Sequence, residues 1–334
     1  MKRIVLRSIL IVLSVLVVFK SYAIAEVIVI RISHDVPVTH NGHAVAAKFA
    51  ELVKEKSKGS LEVKIYPAGQ LYKSKEAVEA VKRGDIEMTY IHLSHLARLE
   101  KALQIVSVPF AGNINPDLYS VMWDKLRSRL LDPLETKGIK VLDAHFTGYV
   151  CYSTGKKPII IPSDAKGLKI RSVAKADGTF VEMAGGIPTY IPSPEAFMAL
   201  QQGIVDGNYT GTGSMIERKI WEVQKYVLAF QGGGSDPWGI VVNLKFYNGL
   251  SPDMRKILEE SAKEASKFGG ALYLKDDAKY LKMLKEKLIV HIPTKEEIKE
   301  WDKISEMTIQ KLESDVGKDV IKDFIELKNQ YKVF

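Results

Sequence analysis

Between Val27 and Ala144 the hydrophobic period switches repeatedly from two to 3.6 and back, and few folds tolerate that alternation. Val27 to Ile32 reads as a strand that ends at the polar turn Ser33-His-Asp-Val-Pro37. With Asn41 as N-cap, Val45, Phe49, Leu52 and Val53 then recur on one helix face, and Gly59 stops the run. Leu61 to Tyr66 alternates as a half-buried strand. Ser74 starts a second helix carrying Ala77, Val78 and Val81; Gly84 closes it, and Ile86 to Tyr90 returns as a strand with His92 just past its end. Asn115 as N-cap and Pro116 at the first helical position open an amphipathic helix through Leu118, Val121, Met122 and Leu126, which leads through Gly138 into the strand Ile139 to Ala144. This pitch predicts largely parallel sheets covered on both faces.

A second lobe is expected to begin where strand-like sequence runs from His145 to Tyr152 into the turn Gly155-Lys-Lys-Pro158. Within it, Gly167 releases the chain from a turn, Leu168 and Ile170 alternate as a short buried strand, and Arg171 falls at the strand's C-terminal end. Open α/β sheets bind ligands at that end, and a guanidinium offers a planar fork of donors that suits a carboxylate. Arg171 is therefore the expected ligand anchor, against the plainer reading of a surface cation or half of an ion pair.

Helices follow around Asp177 to Met183 and after Ser193, with Pro194 at the first position. Trp238 to Asn243 reads as a buried strand that returns to the first lobe. Ser251-Pro-Asp253 caps a long charged helix running past Gly269-Gly270, where a bend is predicted. Thr294 with Glu297 forms a capping box for the last helical region, which ends near Lys332. Two crossings imply a hinge. The chain divides as a signal peptide at 1–25, lobe I at 26–147 with 236–275, and lobe II at 148–235 with 276–334.

At 334 residues and 46% hydrophobic, the chain can bury two such lobes. Lys2 and Arg3, the apolar run Ile9 to Phe19 and Ala23-Ile-Ala25 have the form of a secretory signal cut before Glu26. Arg7 and Lys20 leave too few uninterrupted apolar residues for a comfortable membrane span, the competing reading, and no cysteine follows the run to carry a lipid. Four of the 48 basic residues and no acid lie in that segment, so 44 bases face 40 acids beyond it. That excess is too small and dispersed to argue for nucleic acid. The sole cysteine, Cys151, is expected as a buried thiol. No His/Cys cluster has metal spacing, so neither metal nor cofactor is expected. There is no nucleophile elbow, phosphate loop or dinucleotide fingerprint, and Gly232-Gly-Gly234 reads as a loop or hinge.

Gly167-Leu-Lys-Ile-Arg171, its spacing to Ala199-Leu-Gln201, and Val205-Asp-Gly207 resemble the extracytoplasmic solute-binding proteins of TRAP transporters, the dicarboxylate-binding protein family. So do Phe49-Ala-Glu51, Tyr66-Pro-Ala-Gly-Gln-Leu71, Val108-Pro-Phe110, Asn243 and Leu250-Ser-Pro252. The resemblance implies a periplasmic-binding-protein-like α/β fold: two lobes joined by a hinge, with a long helix after the second crossing. It implies a periplasmic location, no bond chemistry, a small organic acid held by Arg171, and delivery to the small and large membrane subunits of a permease.

Two departures shift the expected solute. Many members carry a second arginine where this chain has Val150, and an asparagine common after the Asp-Gly turn is replaced by Thr210. One cation fewer favours a monocarboxylate on a neutral or apolar body. His92, Tyr209 and Trp238 are further candidates for the cleft wall, each with a structural alternative, and His92 could confer pH dependence. His34, with Asp35 in the loop after the first strand, is a weaker candidate. A sensory solute receptor and a secreted enzyme acting on organic acids are the alternative functions; monomer and homodimer are both open.

Overall fold

The computed structural model describes residues 27–109, 113–114, 117–234, 236–330 and 332–333; the expected signal segment, Phe110 and the Asn115-Pro116 helix start lie outside them. The first layer is built by β1 (Ile28–Ser33), α1 (Asn41–Lys56), β2 (Leu61–Tyr66), α2 (Ser74–Arg83) and β3 (Met88–His92). β1 pairs in parallel with both β2 and β3. His40 rather than Asn41 caps α1, because its Nδ1 accepts the Gly42 N–H at 2.9 Å and so meets a donor the helix leaves orphaned. β4 (Asn113–Ile114), α3 (Asp117–Leu130) and β5 (Ile139–His145) complete this half, and β6 (Tyr149–Thr154) enters a second sheet.

That second sheet is assembled from β7 (Lys169–Ser172), α4 (Lys175–Met183), β8 (Ile187–Tyr190), α5 (Ala196–Gln201), β9 (Gly207–Gly211), α6 (Thr212–Glu217) and β10 (Tyr226–Gly234). β11 (Trp238–Asn243) then returns, followed by α7 (Leu244–Gly249), α8 (Pro252–Lys287), β12 (Ile289–His291), α9 (Lys295–Lys311), α10 (Glu313–Val316), α11 (Lys318–Gln330) and β13 (Lys332–Val333). Strand order is β2-β1-β3-β11-β5 in one sheet and β12-β10-β6-β9-β7-β8 in the other.

Both sheets are mixed, which corrects the expectation of largely parallel ones. β11 runs antiparallel to β3 and β5, and β6 runs antiparallel to β10 and β9. The crossings force this: the chain leaves along β5 into β6 and comes back along β10 into β11, so outgoing and returning strands oppose each other in both sheets. Gly232 to Gly234 therefore end a strand rather than form a loop.

Ser193 begins a 3₁₀ turn, Ser193–Glu195, ahead of α5. The helix α8 continues through Gly269-Gly270 without a break, and Gly269 is small for a different reason: a Cβ there would lie 2.8 Å from Val45 Cγ2 and His145 Cε1. The Thr294–Glu297 box forms as its residues require, with Thr294 N–H donating to Glu297 at 2.7 Å and the reverse contact at 3.3 Å. The last helical region splits into three, with Gly317 at φ +91° between α10 and α11.

The end of the chain packs on both layers. Trp301 of α9 is fully buried against Tyr152, Phe180 and Phe230 of the second layer, and its Nε1 donates to Ile160 O at 2.9 Å. Val316, Phe324 and Leu327 share a core with Leu103, Leu126 and Leu130 of the first.

One carboxylate pins the crossing. Asp277 of α8 accepts the Tyr149 N–H at 2.6 Å and the Thr212 hydroxyl, tying the start of β6 and the start of α6 to the long helix. Beside it Gly148 has φ +95°, where a Cβ would lie 2.8 Å from the Asp277 carboxylate. Gly148→Ala therefore combines left-handed strain with overpacking and is expected to cost about 1–3 kcal/mol, read as a lowered urea midpoint. An unchanged midpoint would contradict this account of the crossing.

Candidate functional site

The C-terminal ends of the parallel strands meet between the two sheets. A cavity of about 310 Å³ opens there, with Asp35, Lys73, Lys75 and His95 on one side and Tyr190, Ile191, Ser193 and Glu195 on the other. A recess of about 80 Å³ continues inward, lined by His40, Thr147, Val150, Tyr209, Thr210, Ser214, Glu217, Asp236 and Tyr273. His92, Val173, Ser193, Arg218 and Trp238 line both, so the two spaces are one cleft.

Arg171 lies directly behind the cleft wall rather than on it, buried to 1% exposure between Thr189 of β8 and Asn208 of β9. Its Nε donates to Ile191 O at 2.9 Å and its Nη2 to Ser193 Oγ at 2.7 Å. Nη1 makes only long contacts, 3.5 Å to Asn208 Oδ1 and 3.4 Å to Tyr209 O. Each of these acceptors is neutral. Burial, and to a lesser degree the charge of Arg218, lower its pKa to about 10, against the opposing pull of Asp177. Among the described residues Asp177 forms no ion pair with it within 4.0 Å, and its own oxygens accept the Val173 and Ala174 N–H groups at 2.7 Å. A guanidinium in this position is out of water with no anion from the described residues against it, and Ser193 is the removable cap.

Trp238 and His92 form a unit. The indole Nε1 donates to His92 Nε2 at 2.7 Å, so the imidazole proton sits on Nδ1 and is given to Asp236 O at 3.1 Å. Burial holds the His92 pKa well below its ordinary value. With both nitrogens engaged, His92 orients the Trp238 ring instead of offering a free group to a solute, and the expected pH dependence finds no support at this residue. Asp236 accepts the Ser94 N–H at 3.2 Å and the Ser107 hydroxyl at 3.0 Å, while its carbonyl takes the Thr147 hydroxyl at 2.9 Å.

The remaining expected residues divide. Val150, Tyr209 and Thr210 come together in the recess, with Val150 paired to Gly211 across β6 and β9. His34 is buried beneath the cleft, 3.2 Å from His43, and is not part of its wall; its neighbour Asp35 is, and accepts the Ser74 hydroxyl at 2.7 Å. Cys151 is buried with its thiol directed to Thr210 O at 3.5 Å. Among the described residues no His, Cys, Asp and Glu group could hold a metal.

Sequence reasoning did not single out Ser193 as a cleft residue, nor find Arg218, Glu217, Asp236 and Tyr273. Arg218 follows the C-terminus of α6, where a basic residue ordinarily reads as a partner of the helix dipole. Tyr273 lies mid-helix in α8 and reads as core. Only the fold brings them to one recess.

A model of the bacterial extracellular solute-binding proteins, family 7, matches residues 32–315. The chain is 30% identical over 304 residues to the C4-dicarboxylate-binding periplasmic protein of Rhodobacter capsulatus, covering 90% of each. It is 28% identical over 258 residues to the 2,3-diketo-L-gulonate-binding periplasmic protein of Escherichia coli, covering 77% of this chain and 78% of that one. Among solved structures, a TRAP periplasmic solute-binding protein from Shewanella oneidensis with bound succinate superimposes at TM-score 0.83 and 26% identity, over 90% of this chain and 99% of that one.

Burial raises the Asp236 and Asp277 carboxyl groups from 3.8 to about 7, in each case against hydrogen bonds that favour the charged form. A pKa raised on folding supplies stability that is complete below the unfolded value and disappears as pH rises through the folded one. The buried histidines, held below 6.5, act in the opposite sense, their cost to stability fading as pH rises to that value. The fall in stability that belongs to the two carboxyl groups, read as melting temperature, therefore runs from about pH 4 to 7, set against the opposing rise from the histidines. Asp236→Asn should flatten that slope, and an identical slope in the variant would contradict the assignment.

Proposed function

Because the chain belongs to the bacterial extracellular solute-binding proteins of family 7, we propose that it captures an organic acid in the periplasm and delivers it to a TRAP membrane permease. Proteins of this family bind solutes and perform no bond chemistry, which sets aside the enzyme reading. The observation that carries the proposal is Arg171, a buried cation contacted only by neutral oxygens at the edge of an inter-sheet cleft. A solute carboxylate that displaces the Ser193 hydroxyl gives the guanidinium its missing anion. In a site closed to water, such a charge-assisted contact is much stronger than the same pair on a surface.

One carboxylate suits the cleft better than two. Val150 is an apolar part of the recess wall, and Asp236 and Glu217 line the same recess, where they would oppose a second anion. The relatives named for C4-dicarboxylates and for 2,3-diketo-L-gulonate differ in the body of the acid and share the carboxylate.

Closure would move the lobe at 26–147 with 236–275 against the lobe at 148–235 with 276–334, hinging where β5 passes into β6 and β10 into β11. α10 and α11, which pack on the first layer, would move with it although they fall in the second segment. Delivery would be to the small and large permease subunits.

The test is a thermal-shift screen of residues 26–334 against mono- and dicarboxylates, amino acids and neutral sugars. A ligand present at one hundred times its Kd stabilises the folded state by about 2.7 kcal/mol, a shift readily seen. A monocarboxylate is expected to stabilise the native protein, and Arg171→Ala, checked for folding by circular dichroism, to lose that shift. Stabilisation by neutral solutes alone, or an equal shift in the variant, would sink the proposal.

A further inference from the structure

Among the described residues, Arg218 is the arginine or lysine that reaches the inner recess of the cleft. It lines both the outer cavity and the inner recess, whereas Arg171 stands behind the wall. Its Nε is buried without a partner, and among the described residues no acceptor is hydrogen-bonded to its guanidinium. The charges of Asp35 and Glu217 act on it, yet neither forms an ion pair with it within 4.0 Å. The hydroxyl of Tyr273, in the same recess, is likewise buried with no partner.

Two orphaned donors in one small space indicate what is missing: oxygen acceptors that the protein does not supply. The recess, about 80 Å³, has the volume of two or three water molecules at roughly 30 Å³ each, enough for a short oxygen-bearing end of a solute.

The kind of oxygen follows from the surrounding charge. Glu217 is held in place by Tyr280, whose hydroxyl donates to Oε1 at 2.8 Å. His40, whose Nδ1 accepts the Gly42 N–H, has its Nε2 3.1 Å from Oε2, an oxygen that is itself buried with no hydrogen-bond partner among the described residues. With Glu217 and Asp236 both lining the recess, the positive charge of Arg218 is already opposed there. A second carboxylate would meet as much repulsion as attraction. A neutral hydroxyl meets both kinds of partner: Arg218 and Tyr273 donate to its oxygen, and Glu217 or Asp236 accepts its hydrogen.

We propose that Arg218 and Tyr273 form a second solute subsite that reads hydroxyl oxygens, so that the solute is a polyhydroxylated monocarboxylate. This rests on the carboxylate being held at Arg171, and it assigns specificity to residues of α6 and α8 rather than to the strand that carries the anchor.

Calorimetric titration separates the two ideas. The wild type, Arg218→Gln, Tyr273→Phe and Arg171→Ala are each titrated with glycerate, threonate and gluconate, with the deoxy acids propionate, butyrate and hexanoate, and with the diacids malonate, succinate and adipate. A hydroxylated acid is expected to bind the wild type at least tenfold tighter than the deoxy acid and diacid of equal length. Arg218→Gln should weaken it by about ten- to a hundredfold, the scale of a lost hydrogen bond to a charged group, and Tyr273→Phe by less. Binding of the deoxy acid should weaken by much less in both, and circular dichroism checks that the variants are folded. Deoxy acids or diacids binding as tightly as their hydroxylated counterparts, or Arg218→Gln leaving the hydroxylated acid unaffected, would overturn the subsite while Arg171→Ala still abolishes binding. Failure of every acid to bind the wild type would overturn the carboxylate reading and the subsite with it.

Discussion

Taking a guanidinium out of water costs several kcal/mol unless an anion meets it, and the fold takes Arg171 out of water without supplying one. Ile191 O, Ser193 Oγ, Asn208 Oδ1 and Tyr209 O position the group but leave its charge uncompensated. That arrangement costs stability and is retained only if something gains from it. A cleft that offers half of an ion pair binds the other half in proportion to what it lacks. β7, β8 and β9 supply the frame because their registers bring Thr189 and Asn208 to either side of Arg171 and fix where the fork can point.

The opposite wall uses a different economy. Six of the seven histidines crowd the first layer around the cleft, where burial lowers the pKa of each. They serve as neutral connectors: His92 holds Trp238, His40 caps α1 and faces Glu217, and His145 joins Tyr90 at 2.7 Å to Phe146 O at 2.7 Å. This lattice keeps the aromatic wall rigid without adding charge. Charge in the inner recess is left to Arg218, Glu217 and Asp236, an arrangement that separates carboxylate recognition from the selection of the rest of the solute.

Most of the fold was legible because its information is local. Leu61 to Tyr66 alternates as a strand wherever it is placed, Ser251-Pro252 starts a helix, and Thr294 with Glu297 closes a box within four residues. What the sequence hid was relational. The direction of β11 depends on where the chain has come from, so mixed sheets could not be read from period alone. Gly269 looked like a bend and is a contact with Val45 and His145, residues more than a hundred positions away. In the cleft, Arg171 stood out by its place at a strand end, but its shielding by Ser193 did not. Arg218 and Tyr273 carried no local pattern that distinguishes them from a helix-end cation and a core aromatic.

The most direct measurement is a crystal structure of the protein grown with an acid that stabilises it. The account requires the solute carboxylate within hydrogen-bond distance of the Arg171 guanidinium, with the Ser193 hydroxyl moved off Nη2 and the two sheets closed around the solute. A solute seated in the cleft while Arg171 still donates to Ser193 Oγ and Ile191 O would show that the buried cation is structural, and that recognition belongs to other residues.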